Sequence, residues 1–213
     1  MATDWTDHVL RALERAGLTP PSPVWMDLAV RYLRWVDTYA ESHDLTAIRD
    51  PDRRVAVFLL YPLRLVHILR PLSLEARTGI DIGTGAGVPG LGMLLGGWSG
   101  PLWLVERAVK KAALLEGFLT DLTPVLQRHG LRADVRVVPQ DVRSVRLPDP
   151  YWCISQGVNW LANPLRRWVE KRIRAGIPMV WVTTPRRADV RLGGRPPSQV
   201  VLLSPEYAAL VWA

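Results

Sequence analysis

The chain has 213 residues, 48% of them hydrophobic, a net charge of +7 and one cysteine. That length bounds one core with a small appendage, the apolar content excludes a disordered chain, and the lone Cys153 excludes an internal disulfide. No uninterrupted apolar run reaches ~18 residues, so no membrane span is expected, and residues 1–14 mix acids and bases without the apolar centre of a secretory signal; cytoplasmic residence is the resulting expectation.

The first ~75 residues read as a helical extension, 1–75, ahead of an α/β domain, 76–213. Trp5 to Ala16 has apolar residues at helical spacing and stops at Gly17. A proline-rich linker, Thr19 to Pro23, leads to a second helix, Val24 to Tyr39, with Met26, Val30, Leu33 and Val36 on one face. Asp44 to Pro51 breaks the periodicity, and Asp50-Pro51 is a helix start. The following apolar stretch runs to Leu69, with Pro62 expected to kink or break it.

From Thr78 the pattern alternates strand and helix. Strands are expected at Gly79–Ile82, Leu102–Glu106, Val135–Val138, Trp152–Ser155 and Pro178–Thr183, and helices at Pro89–Leu95, Ala108–Arg128 (divided at Pro124) and Leu165–Arg174. Two further β-like runs, Gln199–Leu203 and Ala208–Trp212, read as a closing antiparallel hairpin. Repeated βα units imply a mostly parallel sheet, seven strands in all, covered on both faces.

The most informative stretch is Asp81 to Gly90, which follows a strand and opens a helix. Glycines there bring bare backbone N–H groups up to a ligand. A dinucleotide fingerprint reads G-x-G-x-x-G. Here Gly83, Gly85 and Gly87 are spaced G-x-G-x-G, followed by Val88, with Asp81 two residues ahead. An acid there disfavours a pyrophosphate and suits an amino group, which favours S-adenosylmethionine over NAD.

Ligands in open parallel sheets sit beyond the carboxyl ends of the strands. Glu106 ends the second strand, where a carboxylate can accept both hydroxyls of a ribose; capping the next helix is its plainer role. Gln140, Asp141 and Val142 follow the third, beside an adenine. Ser155 and Gln156 follow the fourth, near the methyl to be transferred, where a polar grip on the acceptor is the expected catalytic contribution. No spacing of His or Cys suits a metal, and Ser155 lacks the surroundings of a hydrolase nucleophile.

Residues 164–195 hold Arg166, Arg167, Lys171, Arg172, Arg174, Arg186, Arg187, Arg191 and Arg195 against only Glu170 and Asp189, so the whole net charge lies in this segment. It is either the electrostatic footprint of a nucleic-acid partner or a solvated arginine-rich surface. Trp160 lies beside it and Trp168 within it; packing is their expected role and base stacking the alternative.

Asp44-Leu45-Thr46-Ala47-Ile48-Arg49-Asp50-Pro51 is similar to the N-L-T-A-I-R-D-P signature of the glucose-inhibited division protein B family. Asp81 to Gly90 resembles that family's D-[LIV]-G-[ST]-G-[AP]-G-x-P-G turn, and Leu104-Val105-Glu106 followed by Lys110-Lys111 resembles its next strand end. The resemblance runs from about residue 24 to about residue 183. It implies a Rossmann-like class I methyltransferase that uses S-adenosylmethionine to modify a guanine N7 of small-subunit ribosomal RNA. Arg166, Arg167, Arg186 and Arg187 are then the expected RNA contacts, with no metal or membrane partner. The chain departs from the family where Gln140 and Gln156 stand for two arginines, where Val57 to Pro62 replaces an R-H-[IL]-x-D-S segment, where Thr183-Thr184-Pro185 replaces an L-K-G, and where it ends at Ala213 without a basic tail. Those departures leave a second expectation open: a diverged paralogue that binds RNA or ribosomes with altered catalysis or a different acceptor.

Overall fold

A computed structural model describes residues 3–130 and 134–213; Met1 and Ala2, part of the segment read for a signal, lie outside the described residues. Seven strands form one sheet: β1 (Thr78–Ile82), β2 (Leu102–Val105), β3 (Val135–Val138), β4 (Tyr151–Gln156), β5 (Met179–Thr183), β6 (Gln199–Leu202) and β7 (Ala208–Trp212). Their order is β3-β2-β1-β4-β5-β7-β6, parallel from β3 through β5, with β7 antiparallel to both β5 and β6. The expected mostly parallel sheet with a closing hairpin is therefore what forms. The chain winds outward from β1 to β3 and then crosses back to β4, so the order reverses between β1 and β4, and a crevice opens at their carboxyl ends.

The helices are α1 (Trp5–Ala16), α2 (Trp25–Tyr39), α3 (Pro51–Val55), α4 (Tyr61–Leu69), α5 (Gly90–Leu95), α6 (Val109–Arg128) and α7 (Leu165–Arg174). Buried residues of α1 to α4 share one contiguous core with α5, α6 and one face of the sheet, including Leu104, Trp152, Ile154 and Val180. On the other face Ile80, Ile82, Cys153 and Trp181 pack with Trp168, Val169 and Ile173 of α7.

Two prolines behave differently from expectation. Pro62 does not break its helix: a π-helical stretch, Ala56–Leu60, joins α3 to α4 directly. A proline cannot bond to the carbonyl four residues back. That carbonyl, on Phe58, faces α5, where a Cβ on Gly92 would stand 2.5 Å from it and 2.6 Å from Pro62 Cγ. The widened turn and the bare glycine together let α5 close on α4. Pro124 likewise leaves α6 undivided; it sits on the exposed side, where the freed carbonyl of Thr120 can turn to water.

The near-continuous helix from Pro51 to Leu72 has 22 residues, and an 18-residue window of it has a mean hydropathy of 1.5, long and apolar enough to cross a membrane. Arginines punctuate it, so it contains no uninterrupted apolar run of that length. In the fold it is a core helix, packed against α1 and α5. Trp160 is fully buried, stacked on Trp181 with centroids 5.5 Å apart, and one face of Trp168 is covered by Arg172, 3.3 Å from the ring centroid. The base-stacking alternative for these two rings therefore does not match where they lie.

Candidate functional site

After β1 the chain turns sharply through Gly83, Gly85 and Gly87, with φ of 68°, 55° and 95°. That left-handed backbone costs an L side chain roughly 1–2 kcal/mol, which is why glycine recurs there. Asp81 holds the turn from beneath. It is fully buried, and its Oδ2 accepts from the Thr84 hydroxyl at 2.6 Å and from the Gly90 N–H at 2.8 Å. A Cβ on Gly90 would lie 2.5 Å from Leu104 Cδ2 and 2.9 Å from Asp81 Oδ2, so this contact requires glycine. Burial pushes the Asp81 carboxyl up to about 7, against the opposing pull of the Thr84 and Gly90 hydrogen bonds, with the nearby Glu106 charge adding to the rise. Its Oδ1 is buried without a partner. From above, the buried Tyr32 of α2 donates to the Ala86 carbonyl at 2.9 Å.

Glu106 stands just past β2 and is 8% exposed. Its Oε2 accepts from the Gly85 N–H at 3.0 Å and its Oε1 from the Ala108 N–H at 2.8 Å, so it ties the glycine turn to the start of α6. The contact suggested from the sequence with the start of the next helix is thus made at Ala108, the residue before α6, and α6 has no side-chain cap of its first turn. Each oxygen retains capacity for a second donor. Past β3, Asp141 is gripped by the Arg143 guanidinium, with contacts of 2.8 and 2.6 Å, and accepts the Arg143 N–H at 2.9 Å. Chiefly through that side-chain bond, Arg143 holds the Asp141 carboxyl down to about 2.

These strand ends surround a cavity of about 450 Å³ in the crevice. Ile82, Val105 and Val142 give it apolar walls; Gly83, Glu106, Gln140 and Asp141 give it a polar rim. The segment from Gly157 to Leu165 closes the remaining side and is itself held in place. Val158 seats against Gly83, its Cγ2 2.6 Å from where a Cβ would stand, and its carbonyl accepts from Trp181 Nε1 at 2.9 Å. The Trp160–Trp181 stack therefore anchors this wall.

Of the residues singled out from the sequence, Gly83, Glu106, Gln140, Asp141 and Val142 line the cavity. Gly85 reaches it through Glu106, while Gly87 and Val88 continue the turn, Val88 buried. Asp81 and Ser155 are fully buried, so Asp81 shapes the turn from inside rather than presenting its carboxylate to the cavity. The Ser155 Oγ and the Gln156 Oε1 at the end of β4 are buried without partners. Arg107, Arg143, Asn159 and Asn163 also line the cavity and were missed. Arg107 and Arg143 lie one and two residues beyond acids already chosen, a signal that could have found them; the asparagines follow no motif.

The basic segment is also divided by the fold. Arg166 and Arg167 begin α7 at the cavity end, and Arg186 and Arg187 follow β5 at the same end of the sheet. Arg172 and Arg174 lie at the far end of α7, and the Arg195 carbonyl accepts from Trp212, which pairs with Met179 where β5 starts. Arg166 is partly neutralised by Glu170 at 2.9 Å.

A sequence model of the family described as GidB, rRNA small subunit methyltransferase G, matches residues 26–142, more than half of the chain. The chain belongs to this family. Among its curated relatives, a ribosomal RNA small subunit methyltransferase G of Dichelobacter nodosus (strain VCS1703A) is 37% identical over 86 residues, which are 40% of this chain and 39% of the relative. One of Actinobacillus pleuropneumoniae serotype 5b (strain L20) is 30% identical over 104 residues, 46% of this chain and 48% of the relative. The chain thus matches less than half the length of these relatives. The family match ends at Val142, short of the resemblance read to about residue 183, so Gln156 and the residues after β5 lie beyond it. The crystal structure of a SAM dependent methyltransferase from Aquifex aeolicus, 16% identical, superposes with a TM-score of 0.54 over 79% of this chain and 95% of that one, the same fold.

Proposed function

We propose that this chain is an S-adenosylmethionine-dependent methyltransferase acting on small-subunit ribosomal RNA in the cytoplasm. The observation that carries the reading is the glycine turn, clamped by Asp81 and tied to Glu106, at the rim of the crevice between β1 and β4. The donor set suits this cofactor. Gly83, Gly85, Gly87 and Val88 offer backbone to its amino acid end, and Glu106 has spare acceptor capacity for the ribose. Val142 offers an apolar face to the adenine, with Gln140 and Asp141 at its edge. Asp81 contributes indirectly, by holding the turn in shape.

When bound, S-adenosylmethionine supplies a methyl group on an electrophilic sulfonium. A guanine N7 acceptor has a free lone pair at neutral pH, so the chain's task is alignment and exclusion of water rather than proton transfer. Gln156, with its unpartnered amide oxygen, grips the acceptor; Ser155 lies behind it. Arg186 and Arg187, with Arg166 and Arg167, take the RNA phosphates from the cavity end of the sheet.

The test begins with the purified chain and calorimetry against S-adenosylmethionine, followed by transfer of a labelled methyl group to small subunits lacking the modification. Tight cofactor binding with methyl incorporation at a guanine supports the proposal. Cofactor binding without incorporation into ribosomal RNA would reject the substrate, and no cofactor binding would reject the pocket.

A further inference from the structure

A second cavity, about 820 Å³, lies away from the crevice, in a groove between the carboxyl end of α2 and the first three turns of α6. One wall is aromatic: Trp35 stacks on Phe118 at 4.7 Å between centroids, and Tyr39 continues the row 6.1 Å from Trp35. All three rings are half-buried, so they present open faces or edges to the groove. The rim is acidic. Glu41, Asp44 and Asp121 line it against Lys110 and the imidazole of His43, in a chain whose net charge is +7. Arg49 and Lys111 approach Glu41 and Asp44 from outside, at 3.8 and 3.5 Å; such exposed pairs are weak and readily exchanged.

Gly117 lies in the same groove, in the interior of the 20-residue helix α6. Glycine is the poorest helix former after proline, and here no close neighbour excludes a side chain, because nothing lies within 4 Å of where its Cβ would stand. The fold of the single chain thus gives no reason for glycine at this position. A reason exists if something outside the chain closes on the backbone of α6 there.

We infer that this groove binds a cationic segment of a partner protein, presenting an arginine that stacks on the Trp35–Phe118 wall and pairs with the rim acids while the segment's backbone closes over Gly117. Aromatic faces flanked by carboxylates attract a guanidinium both by cation–π contact and by charge-assisted hydrogen bonds. The same carboxylates repel a polyanion, which separates this surface from the basic end of the sheet. The inference does not rest on the cofactor pocket and stands or falls separately from the proposed activity.

The probe is a capped octapeptide of alternating arginine and glycine, titrated into the whole chain while the Trp35 indole N–H is followed by NMR, that resonance being assigned with Trp35→Phe. A uridine octanucleotide is titrated in parallel. The expected result is a saturable shift of Trp35 with the peptide, weakened at least tenfold by Gly117→Leu and by Asp121→Lys. Gly117→Leu fills open space with a better helix former, so its melting temperature is expected to rise, which keeps the loss of binding from being a loss of fold. A Trp35 shift with the oligonucleotide but not the peptide would make the groove a nucleic-acid surface and overturn the inference. So would no shift with either, or Gly117→Leu binding the peptide as the native chain does.

Discussion

The two halves of the sheet differ in how far their strand-end polar groups are bonded within the chain. On the β1–β3 side, five of the six oxygens of Asp81, Glu106 and Asp141 are bonded by donors of the chain itself, Asp81 Oδ1 being the exception. On the β4 side, the Ser155 Oγ and Gln156 Oε1 are buried and unanswered. The family match covers the first half and stops at Val142. A cradle that must hold one invariant ligand benefits from being preorganised by its own hydrogen bonds. Buried acceptors without donors are costly and are tolerated where a ligand supplies the missing partner. That difference is what the proposed function expects, with the cofactor held by the first half and the acceptor met by the second.

The largest expected effect that tests this division is at Asp81. Asp81→Ala strips the Thr84 hydroxyl and the Gly90 N–H of their acceptor. At about 1–3 kcal/mol for each buried donor left unpaired, S-adenosylmethionine affinity by calorimetry is expected to fall about a hundredfold or more. Affinity within threefold of native would show that the turn is not the cradle.

Asp81→Asn separates charge from shape through pH. The folded carboxyl titrates at about 7, above its unfolded value near ~3.9. Between those values the folded chain keeps a proton that the unfolded chain has released, so stability falls as pH rises from about 4 to about 7 and is level in this respect above and below. Asp81→Asn lacks this titration. The difference in unfolding free energy between native and Asp81→Asn, measured by urea titration, is expected to drift against the native protein by at most a few kcal/mol over that window. A pH-independent difference would mean that the carboxyl is ionised throughout.

If Gln156 meets only the acceptor, as proposed, Gln156→Ala is expected to lower single-turnover methyl transfer about tenfold while leaving cofactor affinity within about twofold. A parallel loss of cofactor affinity would move Gln156 into the first half and blur the comparison. The smallest effect concerns salt. Replacing Arg186 and Arg187 together by alanine is expected to flatten the slope of log K for single-stranded RNA against log salt by about 1.4. The same change at Arg172 and Arg174, at the other end of the sheet, is expected to leave it unaltered. Equal slopes would mean that RNA does not distinguish the two ends.

The sequence by itself determined the order of the strands along the chain, the glycine turn and the family. These are local signals: alternation of apolar runs sets strand and helix, and a turn that demands positive φ at Gly83, Gly85 and Gly87 writes itself as glycine. Helix continuity at Pro62 was not legible, because it depends on Gly92 of another helix receiving a carbonyl the proline cannot bond. Nor was the inward direction of Asp81, which follows from α5 placing the Gly90 N–H beneath the turn. The walls of the cavity beyond Val142 escaped for the same reason: Val158, Asn159 and Asn163 carry no motif, and their position is set by a tryptophan stack that joins residues 21 positions apart. The linear count also fused a basic segment that the fold divides between two ends of the sheet. Spacing along the chain reports which backbone conformations are needed; only packing between distant segments decides which polar atoms are answered inside the chain and which remain to meet a ligand.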